Sequence, residues 1–293
     1  MIETLTQPQP VEQSAAPAVS ENPSRLFFLD HLRAALVVLV VLHHVAVMYG
    51  EGRSFYYVEP PPTESLTYLV LLVFVLLNQS WFMGALFLVA GYVTPDSYDR
   101  KGAGVFLKGR LLRLGVPLLI WIFVLNPLAC IGLYLEPAPR IPEPFTWAAY
   151  PYLIGLGPLW FVALLLIFNV GYAAWRRQPQ NRAPVQSTPS RPGYLGIGLF
   201  ILGLAPASSL LRIVIPIGQP VNLVVSWLSF PSLAYLPQYL SFFVVGVLAA
   251  RRDWLQTLPD SRGIGGFVVA VVAFVLLFPL AFFGGLEGQF LGG

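Results

Sequence analysis

The chain is expected to fold as an all-α, polytopic bundle of membrane-spanning helices. Three observations carry this. Of 293 residues, 56% are hydrophobic and only 11% are charged, against about 25% charged in a soluble domain, too few to cover a water-exposed surface. Several stretches reach roughly 20 apolar residues, the length that crosses a hydrocarbon core of about 30 Å as helix. No charged amphipathic helices are present to wrap such segments in a large globular core.

Residues 1–25 are rich in Pro, Gln, Glu and Ser and lack an apolar run, so they read as a disordered tail and not as a signal peptide. Residues 26–293 form the membrane-embedded domain. Seven spans are placed at about 26–49, 66–94, 115–135, 156–175, 194–215, 233–250 and 263–285, by apolar length and period. The second is long enough to tilt or break near "NQS" (78–80). "VFLKGRLLRLG" (105–115) suits a basic interfacial helix ahead of the third. "VNLVVSWLSF" (221–230) is too short to span and reads as re-entrant or interfacial. "QPQNRAPVQSTPSRPG" (178–193) reads as a flexible linker.

Loop charge sets the orientation. The 50–65 loop has one Arg against three Glu, and 136–150 one Arg against two Glu. By contrast, 95–114 carries Arg100, Lys101, Lys108, Arg110 and Arg113; 176–193 carries Arg176, Arg177, Arg182 and Arg191; 251–262 carries Arg251, Arg252 and Arg262. Basic loops face the cytoplasm, so the N-terminus is expected inside, and the "LEGQFLGG" end outside. A multi-pass protein of a bacterial inner membrane follows. The net charge of +3 adds little. A lone Cys130 excludes an internal disulfide and a cysteine metal cluster. Neither a metal nor a nucleic-acid partner is expected, and the oligomeric state is open.

The chemistry concentrates in the first span. All three histidines, His31, His43 and His44, lie within fourteen residues, in "FLDHLRAALVVLVVLHH". Arg33 and His44 differ by about 20° around a helix and by about 16–17 Å along it, so they share one face. Asp30, Val37, Val40, Val41 and Met48 fall near that face, whereas His43 points about 100° away. Each group has a plain alternative: Asp30 pairs with Arg33, Arg33 snorkels, and His44 caps the outer end. Together, however, intramembrane ionisable groups mark a pathway or site. A cation and an imidazole in line suit a long substrate with an anionic head and a reactive tip, such as coenzyme A carrying a thioester. His44 is the better base, since imidazole can take a hydroxyl proton near neutral pH. His43 is expected to pack or orient.

The same stretch resembles the opening helix of the acyltransferase 3 family of integral-membrane O-acyltransferases, Leu-Asp-x-Leu-Arg with an Arg-(ten residues)-His signature on Arg33 and His44. "GALFLVAGYVTP" (84–95), with Gly91, and "GRLLRLGVPLL" (109–119), with Arg110 and Arg113 in an Arg-x-x-Arg element, are similar to later parts of that family. "GPLWFVALLLIF", "LLRIVIPIG" and "YLPQYLSFFVVGVLAARRDWL" look like its glucan biosynthesis protein C-like branch. The resemblance covers about residues 26 to 290. It implies transfer of an acyl group, acetyl or succinyl, from cytoplasmic acyl-CoA as co-substrate to a carbohydrate hydroxyl across the membrane, with no bound cofactor. On this pattern His44 and Arg33 are catalytic, and Arg33, Arg110 and Arg113 bind the cofactor phosphates. The substrate-side candidates, from position alone, are Arg212, His43 and Asp30. The family has about ten spans, so this chain's seven imply that C-terminal spans are absent. Two other functions fit the composition: a flippase or transporter for a sugar polymer or lipid-linked sugar, and an inactive truncated protein. The absence of an inverted repeat or a second acidic coupling residue weighs against transport.

Overall fold

The computed structural model describes residues 27–50, 56–57, 59, 62–135, 143–178, 192–222, 229–230, 233–257 and 259–283. The 1–25 tail, Arg182 and Arg191 in the 178–193 linker, and the "LEGQFLGG" end lie outside the described residues. Seven described helices are long and apolar enough to cross a membrane, so the chain is an integral-membrane protein. Helix α1 is Phe27–Tyr49, α2 Leu66–Tyr92 and α3 Thr94–Arg110. Helix α4 covers 111–135, α5 is Trp160–Arg177, α6 Tyr194–Val214, α7 Leu236–Arg251, α8 Trp254–Thr257 and α9 Asp260–Phe283. The start of α1 and the ends of α2, α5 and α7 share one end of the bundle, rich in Arg and Lys and called here the basic end. The opposite end is the far end.

Helix α1 lies on α2 through Leu29, Leu36, His43 and Ala46, a stripe close to a seven-residue repeat. The tightest crossing joins α2 to α7. A Cβ on Gly91 would collide with the Phe243 carbonyl, and one on Gly246 with the Leu88 carbonyl, so the two backbones touch where both helices carry glycine. Around that seam, Phe82, Phe87, Trp160, Phe168, Tyr239 and Phe243 form the main core. Helices α6 and α9 stand at the perimeter: α6 buries no residue, and the apolar window of α9 is likewise unburied.

One expectation is corrected and two are made more specific. Of the tilt or break expected near 78–80, the break does not occur, because α2 runs unbroken. The basic surface helix begins at Thr94, with Pro95 in its first turn, and bends at Gly102 (φ 71). Residues 111–115 therefore open the spanning helix α4. At the two ends of 221–230, the segment expected to be re-entrant or interfacial, Val221 pairs with Phe230 and Asn222 with Ser229 in an antiparallel ladder, β1 (Val221–Asn222) with β2 (Ser229–Phe230). Phe230 is buried in the core and Val221 packs against it, so this strand pair is anchored to the bundle.

Helix α4 shows how proline shapes a span. Wide π-type turns at Leu111–Gly115 and Trp121–Leu125 precede Pro117 and Pro127. Proline has no N–H and its ring crowds the carbonyl four residues back, and the widened turn accommodates it. The Phe123 carbonyl, which Pro127 cannot serve, accepts instead from the Tyr150 hydroxyl. That bond, and Asn126 Nδ2 donating to the Leu153 carbonyl at 2.7 Å, tie the far-end loop to α4. Gly157 (φ +46) completes the joint, since a Cβ there would lie 2.6 Å from Asn126 Oδ1. The Tyr56 hydroxyl donates to the same Oδ1, and burial pushes its phenol up from the ordinary tyrosine value, which keeps it a donor.

Candidate functional site

At the basic end α1, α2, α3, α4 and α7 surround a cavity of about 1000 Å³. Its walls carry five cations (Arg33, Arg100, Lys101, Arg110 and Arg113) against three carboxylates, Asp30, Asp96 and Asp253. Asp30 lies 3.6 Å from Arg33, and Asp96 2.7 Å from Arg100. Arg110 is close enough to feel the charges of both Arg113 and Arg33, although Arg33 comes from a segment nearly eighty residues away. Arg110 lies 5.3 Å over the Phe106 ring, which fixes the plane of its guanidinium. Such a wall favours an anionic ligand with more than one charge.

The structure thus gathers four of the sequence candidates, Asp30, Arg33, Arg110 and Arg113, around one space. Tyr92, Asp253 and Gln256 also line it. Asp253, at positive φ (50), turns the chain after α7. Their part was hidden in sequence because it depends on where α7 ends against α2.

The histidines lie further along α1. His44 is half-buried and its Nδ1 is 2.7 Å from the Val40 carbonyl. A carbonyl can only accept, so Nδ1 carries the proton and Nε2 holds the lone pair. His43 is on the buried stripe, with its ring 4.8 Å from that of Phe82 and perpendicular to His44 at 5.7 Å. Val40 between Arg33 and His44 packs against the core. Val37 and Val41 on the adjoining side are 57% and 58% exposed, so the shared face runs along the edge of the packed stripe. Arg212 is at the far end, in the last turn of α6, 5.1 Å over the Tyr235 ring. It belongs to a different neighbourhood from the cavity. No group of His, Cys, Asp or Glu able to hold a metal is found among the described residues.

One further charged cluster stiffens the basic end. Asp99 of α3 accepts from Arg176 of α5 at 3.1 Å and from Arg251 of α7 at 2.7 Å. Arg251 also donates to the Tyr172 hydroxyl at 2.7 Å. Sequence reading assigned these arginines to loop charge and passed over Asp99.

The fold and the lipid-length helices define an integral-membrane protein with a basic cavity at one end. Within that class the chain belongs to the acyltransferase 3 family of membrane O-acyltransferases, whose model, described as an acyltransferase domain, matches residues 26–292. It is similar to the glucans biosynthesis protein C of Salmonella schwarzengrund, Salmonella agona and Salmonella typhi, each 26% identical over 262 residues, covering 86% of this chain and 66% of the relative. The chain therefore spans just under two thirds of the length of these curated relatives. No solved structure matches it.

Proposed function

We propose that the chain transfers an acyl group, acetyl or succinyl, from acyl-CoA to a hydroxyl of a carbohydrate acceptor. The basic cavity carries the reading: Arg33, Arg110 and Arg113 converge there, and guanidinium forks suit the several phosphates of coenzyme A. The basic end faces the cytoplasm of a bacterial inner membrane, with the N-terminus inside, as the loop charges favour. Helix α1 then leads from the phosphates at Arg33 to His44, about 16–17 Å further, a distance an extended pantetheine arm bridges in large part.

His44 is the general base. Its Nε2 takes the acceptor hydroxyl proton while that oxygen attacks the thioester carbonyl; the C–S bond then breaks, and the thiolate of coenzyme A receives the proton from the imidazolium. Arg33 holds the donor in register and Asp30 orients Arg33. His43 packs on Phe82 and sets the position of its neighbour.

The test is phosphate dependence. With the chain in lipid nanodiscs, labelled acyl-CoA should bind at least tenfold more tightly than the corresponding acyl-pantetheine, which lacks the nucleotide phosphates. Equal affinities would remove the cavity from the donor site. Label appearing on an added oligosaccharide would support transfer, and its absence with tight donor binding would contradict it.

A further inference from the structure

Towards the far end, five buried polar atoms have no hydrogen-bond partner among the described residues: Trp121 Nε1, beside Gly157, and a group of four, His43 Nδ1, Asn78 Nδ2, Tyr239 Oη and Arg212 Nε. Of the four, His43, Asn78 and Tyr239 lie in the core, at 7%, 3% and 1% exposed, whereas Arg212 is partly exposed on the perimeter helix α6 with its Nε enclosed. They come from four helices, α1, α2, α7 and α6, yet contacts chain them together. Phe82, one turn beyond Asn78, lies against the His43 ring. Gln79, the neighbour of Asn78, lies within reach of the Tyr235 hydroxyl. The Tyr235 ring lies under the Arg212 guanidinium and 6.1 Å from the Tyr239 ring, and Tyr239 stacks on Phe87 at 5.0 Å. The α2 residues involved, 78 to 87, occupy about 14 Å of helix.

The chemistry of the set is one-sided. The asparagine amide nitrogen and the guanidinium can only donate, and the phenol donates as readily as it accepts. A buried donor without an acceptor is costly, and native interiors rarely keep one without a reason. Among the described residues no carboxylate pairs with Arg212, so the cluster sets one partly exposed positive charge beside buried donors.

We propose that Asn78, Tyr239 and Arg212, with His43 beside them, form a binding site for an anionic oxygen. Two sources share this chemistry: a carboxylate carried on a substrate, and the oxyanion that develops on the acyl carbonyl when the acceptor oxygen adds and the C=O electron pair moves onto its oxygen. Naming those sources rests on the acyl-transfer reading; the site itself does not.

The experiment therefore begins with binding alone. Thermal unfolding of the full chain in nanodiscs is followed with sodium acetate, the smallest carboxylate, against sodium chloride at equal ionic strength. Acetate should raise the melting temperature of the unsubstituted chain and not that of Arg212→Gln. An equal response in the two proteins overturns the proposal whatever transfer assays show. Tyr239→Phe and Asn78→Leu each remove a partnerless donor, so both should melt no lower than the unsubstituted chain and lose the acetate response. Melting well below it with that response intact would mean a packing role and would also overturn the site. Transfer from acetyl-CoA and succinyl-CoA then separates the sources. Loss of one oxyanion donor typically lowers kcat by about 10²–10³, so a fall in kcat of at least tenfold with both donors assigns the oxyanion. A rise in KM of that size confined to the succinyl donor assigns the carboxylate, and unchanged transfer from both by all three variants overturns either role. If the unsubstituted chain moves neither acyl group, the acyl-transfer reading fails, while the acetate result still decides the site.

Discussion

Asp99→Asn should destabilise the bundle by about 3 kcal/mol. Arg176 and Arg251 present side chains only 6% and 14% exposed, and both close on the Asp99 carboxylate, at 3.1 Å and 2.7 Å. Removing one partner of a buried ion pair costs roughly 3–5 kcal/mol, because a buried charge is left without its counter-charge. The lower end applies here, since Asp99 itself is 38% exposed and water softens the loss. Reversible unfolding in mixed micelles titrated with SDS measures the difference. A triple replacement, Asp99→Leu with Arg176→Met and Arg251→Met, removes every charge at once. It should return to within about 1 kcal/mol of the unsubstituted chain, as apolar substitutes for buried ion clusters often do. Asp99→Asn costing under about 1 kcal/mol, or a triple variant as weak as the single one, would refute the assignment of this cluster as a buried clamp between α3, α5 and α7.

Other consequences are equally direct. Gly91→Val and Gly246→Val should each prevent α2 and α7 from touching, and fail to yield a folded monodisperse protein by size-exclusion chromatography, whereas Gly104→Ala, where a Cβ meets nothing within 4 Å, should behave as the unsubstituted chain. His44→Ala should abolish label transfer from acyl-CoA and His43→Ala should leave a measurable fraction; the reverse pattern would assign the base to His43. Replacing Arg110 and Arg113 together by Lys keeps the positive loop and should preserve insertion, yet raise the KM for acyl-CoA several-fold because the fork geometry is lost. Unchanged kinetics would leave these arginines a purely topological role.

Much of the architecture was legible from residues, for physical reasons that differ by element. The spans follow from apolar length, which lipid enforces. The contrast between His43 and His44 follows from the 100° step of a helix, and His43 does occupy the buried stripe while His44 lies at its edge. The gathering of Arg33, Arg110 and Arg113 was suggested by the resemblance and by loop charge. What stayed hidden depends on partners distant in sequence. The polar "NQS" suggested a tilt or a break, but Gln79 lies within reach of the Tyr235 hydroxyl and Asn78 is enclosed by the core, and the backbone runs on as helix. The polar "TPDSYDRKG" lacks the apolar period that marks a helix, and α3 there is held by Asp99 through arginines 77 and 152 residues away. No spacing rule reaches that far. The length of 221–230 marks it as too short to span, but the pairing of its two ends depends on backbone contacts that no apolar count shows.

The central claim is that the acyl group enters at the basic end and is transferred near His44 to an acceptor from the far side. Sealed vesicles with the basic end inside test it most directly. They are loaded with labelled acyl-CoA, and an oligosaccharide that cannot cross the membrane is supplied either outside or inside. Label should appear on the outside acceptor and not on the enclosed one. Label confined to the enclosed acceptor would contradict the account, because the sugar hydroxyl would then approach from the side of the cavity and His44 could not be its base.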